Sequence, residues 1–186
     1  LNNDEVLYQR VLNGDTGAFE TLVERYHKPL FGFLYRMTGQ YPIAEDLLQE
    51  TFTRMIVYQG RAPDQFRAWV YTIAGNLARD HLRSAVHRRE VGSVDDGSFD
   101  AEPATQVVHS VEDNLTANAD RDEVIKALAQ LTPEHREALV LRFYHDLTVD
   151  EIAAVGGIPS GTVKSRLSYA LKRLKGLLAG VGVMTI

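Results

Sequence analysis

The chain has 186 residues, with 20 Lys and Arg against 25 Asp and Glu for a formal net charge of -5, six prolines and no cysteine. That length supports one large or two small domains with real cores, and the missing cysteines exclude disulfides, a thiolate zinc site and a thiol redox switch. No apolar run approaches the roughly twenty residues of a membrane span, and the polar, acidic opening lacks the apolar stretch of a cleavable signal, so the expected location is cytoplasmic.

The acidity is not spread evenly. Residues 1–89 hold 11 basic and 10 acidic side chains, residues 90–123 hold one and 10, and residues 124–186 hold eight and five. Both ends are therefore neutral to basic around an acidic middle.

In chain order, Phe19, Leu22, Val23, Tyr26, Leu30, Phe31 and Leu34 recur at three- and four-residue spacing and predict a long helix that Pro29 bends without ending and Gly39 stops. Pro42 suits the first turn of the next helix, whose stripe is Ile43, Leu47, Leu48, Phe52, Met55 and Ile56. The tract QGRAPD at residues 59–64 is a loop. A third helix follows, with Phe66, Trp69, Val70, Ile73 and Leu77 on its inward side; Trp69 is expected in the core rather than as a stacking platform for a base.

From about residue 88 to 120 no period survives, and VGSVDDGSFDAEPATQ is too polar to bury much surface, so it reads as a flexible tether between two domains. Beyond it Val124, Ile125, Leu128 and Leu131 begin a new helix, and Thr132-Pro133 caps another carrying Ala138, Leu139, Leu141 and Phe143. The predicted class is all-α: two small helical domains over residues 1–88 and 122–178, a flexible acidic linker at 89–121 and a tail at 179–186.

The segment LTVDEIAAVGGIPSGTVKSRLSYALKRLK, residues 147–175, reads as a helix-turn-helix. Thr148 and Glu151 form a capping box, Gly156-Gly157 supplies a positive-φ turn, and Ile158 is an apolar plug before Pro159-Ser160 opens the second helix. There Val163, Leu167, Ala170, Leu171 and Leu174 form the inward stripe. The outward face holds Lys164, Ser165, Ser168 and Lys172, flanked by Tyr169, Arg166 and Arg173. Five basic residues and no acid lie between Ser160 and Lys175. Small polar groups at the centre of a basic face suit base edges, and the surrounding cations suit phosphates.

Together the tracts AEDLLQETFTRMI (44–56), FRAWVYTIAGNLARDHLR (66–83) and LTVDEIA...GIPSGTVKSRL (147–167) resemble the small extracytoplasmic-function (ECF) group of bacterial sigma-70 RNA polymerase sigma factors, which carry only region 2 and region 4. The resemblance covers nearly the whole chain. It implies a promoter-specificity subunit that binds core RNA polymerase and promoter DNA and has no catalytic residues, metal or cofactor of its own. By resemblance, Asp46, Gln49, Glu50 and Phe52 dock on the coiled coil of the β′ subunit, although acids in a helix's first turns also suit its dipole and Phe52 also reads as core. Arg61, Gln65, Asn76, Arg79 and Arg83 hold the unpaired strand of the -10 element; Asp80 is expected to pair with Arg79 or Arg83 at the surface. At the -35 element Lys164, Ser165, Ser168 and Tyr169 face bases, while Thr162, Arg166, Lys172 and Arg173 hold phosphates. The resemblance further implies contact with the polymerase β subunit, an inhibitory anti-sigma factor, and a linker threaded toward the polymerase cleft with Asp95, Asp96, Asp100 and Glu102 as anionic beads, against which a plain solvated spacer stands equally.

Two other classes compete. A stand-alone helix-turn-helix regulator with an N-terminal sensing domain would bind operators as a dimer, and leaves the 66–83 tract without a use. An enzyme acting on nucleic acid lacks support, because the carboxylates and six histidines are scattered and no phosphate-cradling glycine loop is present.

Overall fold

The computed structural model describes residues 3–91 and 115–179, and among these it contains eight helices and no strand. The first is α1 (Asp4–Leu12), capped by Asn3, whose side chain accepts from the Glu5 N–H. Helix α2 (Thr16–Thr38) starts at Asp15, whose carboxylate accepts the Ala18 N–H at 3.0 Å, and stops at Gly39, whose φ of 73° only glycine adopts without strain. Pro29 lies inside it, as expected, and does not end it. Helix α3 (Tyr41–Val57) carries Pro42 in its first turn, where a missing N–H costs nothing.

Helix α4 (Phe66–Val91) begins beneath α1: the Glu5 carboxylate accepts the Phe66 N–H at 3.0 Å. Tyr8, fully buried, packs against Phe66 and Trp69 and donates its hydroxyl to the Met55 carbonyl at 2.7 Å, joining α1 to α3 and α4. The sequence pattern did not reveal α1, because only Leu7 and Tyr8 of its nine residues are buried while Val6 is exposed. Trp69 belongs to this aromatic cluster, as expected for a core residue.

The second half comprises α5 (Leu115–Ala129), α6 (Pro133–Tyr144), α7 (Val149–Gly156) and α8 (Ser160–Ala179). Thr148 and Glu151 form the reciprocal capping box: the Thr148 N–H donates to the Glu151 carboxylate at 2.7 Å and the Glu151 N–H to the Thr148 hydroxyl at 3.2 Å. Gly157 alone of the glycine pair takes positive φ, at 60°. The residues expected to form the linker's acidic beads, Asp95, Asp96, Asp100 and Glu102, lie outside the described residues, as does all of the tail after Ala179. Helix extends into both edges of the stretch expected to be linker, to Val91 and from Leu115.

Three expectations change. Ile56 and Phe143 are more than half exposed, because α3's stripe closes on Met55 and α6's on Leu141. More consequentially, the two domains pack together: one continuous core runs from Leu7 through Phe33, Tyr71 and Ala74 to Leu139, Ile152 and Val163. Helices α2 and α4 of the first half meet α5, α6 and α7 of the second along this seam.

Candidate nucleic-acid and polymerase interfaces

Helix α8 is set by α6 and α7 beneath it. Val163 and Ala170 are fully buried, and Leu167, Leu171 and Leu174 pack against the same core. Its first residue is tied to α7 by the Ser160 hydroxyl, which donates to the Asp150 carboxylate at 2.7 Å. This leaves Lys164, Ser165, Ser168, Tyr169, Lys172 and Arg173 exposed, with Thr162 and Arg166 half-buried at the edges. The Ser165 hydroxyl donates to the Thr162 carbonyl at 2.9 Å, which keeps it close to the helix and the face low. Tyr169 leans on the His135 ring at 4.5 Å between centroids, so its ring is held to one side of that face by α6. The eight residues expected at a -35 element thus share one side of one helix.

The residues expected at the -10 element divide. Arg61 and Gln65 are exposed before α4, with Arg61 near Asp64 at 3.3 Å in a wholly solvated pair. Asn76 and Arg83 are exposed on α4 itself, and Arg83 pairs with Asp80 at 3.7 Å, the surface contact anticipated for that carboxylate. Arg79 is different. Its guanidinium is ion-paired with Glu137 of α6 and hydrogen-bonded to the Asn76 side chain, with only 14% of the side chain accessible. The Glu137 carboxyl is raised above the ordinary carboxylate range by burial, which outweighs the opposing pull of Arg79.

Of the residues expected to dock on polymerase, Asp46 and Gln49 are exposed on α3, Glu50 is half-buried and bonded to Arg54 at 2.8 Å, and Phe52 packs edge-on against Phe19 at 6.3 Å. Phe52 is therefore a rim residue of the core with one side left open. The other three lie beside it along one helix.

Sequence reasoning missed the polar residues of the seam. Arg136, buried on α6, donates to the carbonyls of Ala129 at 2.8 Å, Leu131 at 3.2 Å and Met37, so a cation sits on the C-terminal ends of α5 and α2, where the helix dipoles favour it. Burial lowers its pKa all the same. His145 shares a 2.9 Å hydrogen bond with the Tyr71 hydroxyl, and its carbonyl accepts from Arg67. Burial, assisted by Arg36 and Arg67, brings the His145 pKa down from 6.5 to about 4, so the ring is neutral here. One signal was present: Glu137 and Arg136 stand four residues before Leu141 and Val140, on the buried stripe of α6.

No group of three or more His, Cys, Asp or Glu positioned for a metal occurs among the described residues, and no described helix is long and apolar enough to cross a membrane. Residues 22–88 match the family model for sigma-70 region 2, and residues 127–176 that for sigma-70 region 4. Over 172 residues the chain is 37% identical to the RNA polymerase sigma factor CarQ of Myxococcus xanthus, covering 91% of this chain and 94% of that one. It is 34% identical to the ECF RNA polymerase sigma factor SigL of Mycobacterium tuberculosis, covering 91% and 93%. Among solved structures it resembles the sigma factor RpoE of Bartonella quintana, crystallised with the anti-sigma factor NepR, at 26% identity and a TM-score of 0.65 over 87% of this chain and 96% of that one. Two family models in order, and relatives matched nearly end to end, place this chain in the sigma-70 family as an ECF RNA polymerase sigma factor.

Proposed function

We propose that this sigma factor recognises the -35 element through α8 and the -10 element through α4 and the loop before it, and mounts on core polymerase through α3. The observation that carries the reading is the outward face of α8, where five basic residues and three small hydroxyls meet no acid between Ser160 and Lys175 while the helix's other side is buried. Lys164, Ser165, Ser168 and Tyr169 then face base edges, and Thr162, Arg166, Lys172 and Arg173 hold phosphates. Arg61, Gln65, Asn76, Arg79 and Arg83 hold the unpaired strand through its backbone and a splayed base. Asp46, Gln49, Glu50 and Phe52 meet the β′ coiled coil, and the second domain meets the β subunit.

The chain works inside the cell, where polymerase is, and contributes binding and strand separation rather than catalysis. The likeness of this chain to RpoE, whose structure contains an anti-sigma factor, supports regulation by such a partner. The stand-alone regulator gains nothing, since it leaves the region 2 match unexplained.

The division of labour on α8 is tested by two substitutions in reconstituted initiation with core polymerase. Lys164→Ala is expected to relax base preference at one -35 position, by about 1–3 kcal/mol of discrimination. Arg173→Ala is expected to weaken all promoters alike and to shallow the salt dependence by about one unit of slope. Equal losses on matched and mismatched promoters for both variants would refute the assignment.

A further inference from the structure

A cleft of about 640 Å³ opens where α2, the start of α4 and the turn between α6 and α7 meet, and none of the residues assigned to DNA or polymerase lines it. Small-molecule sites occupy about 300–1,000 Å³, so this one has room for a metabolite. Its walls are cationic in a chain that is acidic as a whole: Arg25, Lys28, Arg36 and Arg67 line it, against Asp4 and Asp146. Asp4 is already engaged, since its carboxylate pairs with Arg25 and accepts the Tyr26 hydroxyl at 2.6 Å. Lys28, Arg36 and Arg67 are left with Asp146.

Two of these cations are held in place by groups that leave their charge unmatched. Arg36 donates to the Gly32 carbonyl at 2.9 Å and lies over the Tyr144 ring at 4.1 Å, while Arg67 donates to the His145 carbonyl. Neither has a carboxylate at ion-pair distance among the described residues. A guanidinium carries five N–H donors, so each keeps several to offer. His145 lines the same cleft, is only 8% exposed, and its buried Nε2 meets no hydrogen-bond partner among the described residues. Burial, then Arg36 and Arg67, hold that ring neutral, so the fields of both arginines bear on it. A buried polar atom without a partner calls for a water or a ligand.

We propose that this cleft binds a phosphorylated small molecule, its phosphate held by Arg36 and Arg67 with Lys28 at the mouth and His145 Nε2 behind, and its remaining body resting against Tyr144. A tetrahedral oxyanion accepts from several directions at once, as guanidiniums on two different helices require. Its charge of about -2 matches what the walls leave over, three cations against one carboxylate. The site is independent of the promoter reading.

The test is calorimetric titration of the full chain with inorganic pyrophosphate and with ADP, alongside thermal unfolding. Both probes are expected to bind at one per chain and to raise the unfolding midpoint, because the unfolded chain has no cleft to offer. Citrate, a carboxylate anion, is expected to bind more weakly; citrate as tight as ADP overturns the assignment to phosphate. Arg36→Gln and Arg67→Gln are each expected to weaken ADP binding about tenfold, the loss of one charge-assisted contact. Lys28→Gln, at the exposed mouth, costs about threefold. Lys126→Gln, the same charge loss at an exposed position on α5 outside the cleft, leaves affinity unchanged. Absence of both heat and stabilisation with either probe up to about 1 mM, the upper end of common metabolite levels, overturns the site. So does equal weakening by Lys126→Gln and the cleft variants, which would mark a diffuse attraction for anions. Circular dichroism accompanies every variant: if Arg67→Gln loses helicity, Arg36→Gln, on the half-exposed side of α2, decides alone.

Discussion

Helices α8 and α4 both present rows of cations and small polar groups, but the fold treats them differently. Helix α8 buries one stripe in its own domain and leaves its basic face open, so its surface is complete whichever way the two domains are arranged. Helix α4 buries one side against α1, α2 and α3, and lends part of another to α6 and α7. The difference teaches that a reading surface made by one domain's packing is constitutive, whereas one shared with a second domain is conditional on their separation.

The strongest way to break this comparison is through Phe33, which is fully buried on α2 and meets both Tyr71 at 5.5 Å and His145 at 5.9 Å edge to face. Phe33→Ala is expected to cost about 4 kcal/mol in urea unfolding. If the seam couples the domains, amide exchange in α6 and α7 accelerates together with that in α2. Exchange confined to α2 would make the halves independent and the condition on α4 illusory.

A smaller effect comes from His145, neutral in the seam with its pKa at about 4 and surrounded by Arg36, Arg67, Tyr71 and Asp146. An unfolded chain takes up this proton near 6.5 and the packed one does not, so no penalty exists above that pH. The seam weakens as pH falls from about 6.5 to about 4, by up to about 3 kcal/mol. Glu137 works in the opposite sense, since its raised pKa favours the packed form on acidification. The measurement is therefore the difference between the stability profiles of the unsubstituted chain and His145→Gln over that window: parallel profiles would refute the role given to the ring.

The smallest expected effect lies on α4's solvated side. Asp80 and Arg83 are about two-thirds exposed and 3.7 Å apart, so Asp80→Asn is expected to change stability by less than about 0.5 kcal/mol. A larger loss would mean that this side of α4 is also bound to something within the chain.

Local chemistry made most of the elements readable. Thr148 with Glu151, Gly39, Pro42 and Thr132-Pro133 marked helix ends, and the structure places caps or first turns at all of them. The basic face of α8 was legible for the same reason, since its stripe and its charges obey a single period. The seam was not. Its specific contacts come from Arg67, Tyr71 and Arg79 on α4 and from Arg136, Glu137 and His145 in the second half; the spacing within each half places them on a helix face but does not say that the two faces meet, and the acidic stretch between the halves spoke for separation. Arg79 was expected to hold the unpaired strand or to pair with Asp80 on its own helix. Its partner lies 58 residues away.

Helix α1 precedes the region 2 match, which starts at residue 22, yet Tyr8 is completely enclosed and Glu5 holds the first N–H of α4. An excised fragment cut at the homology limit would shed the lid from Phe66 and Trp69, leaving aromatic surface prone to self-association. Boundaries for isolated-domain work on this sigma factor belong before Asn3, not where family likeness begins.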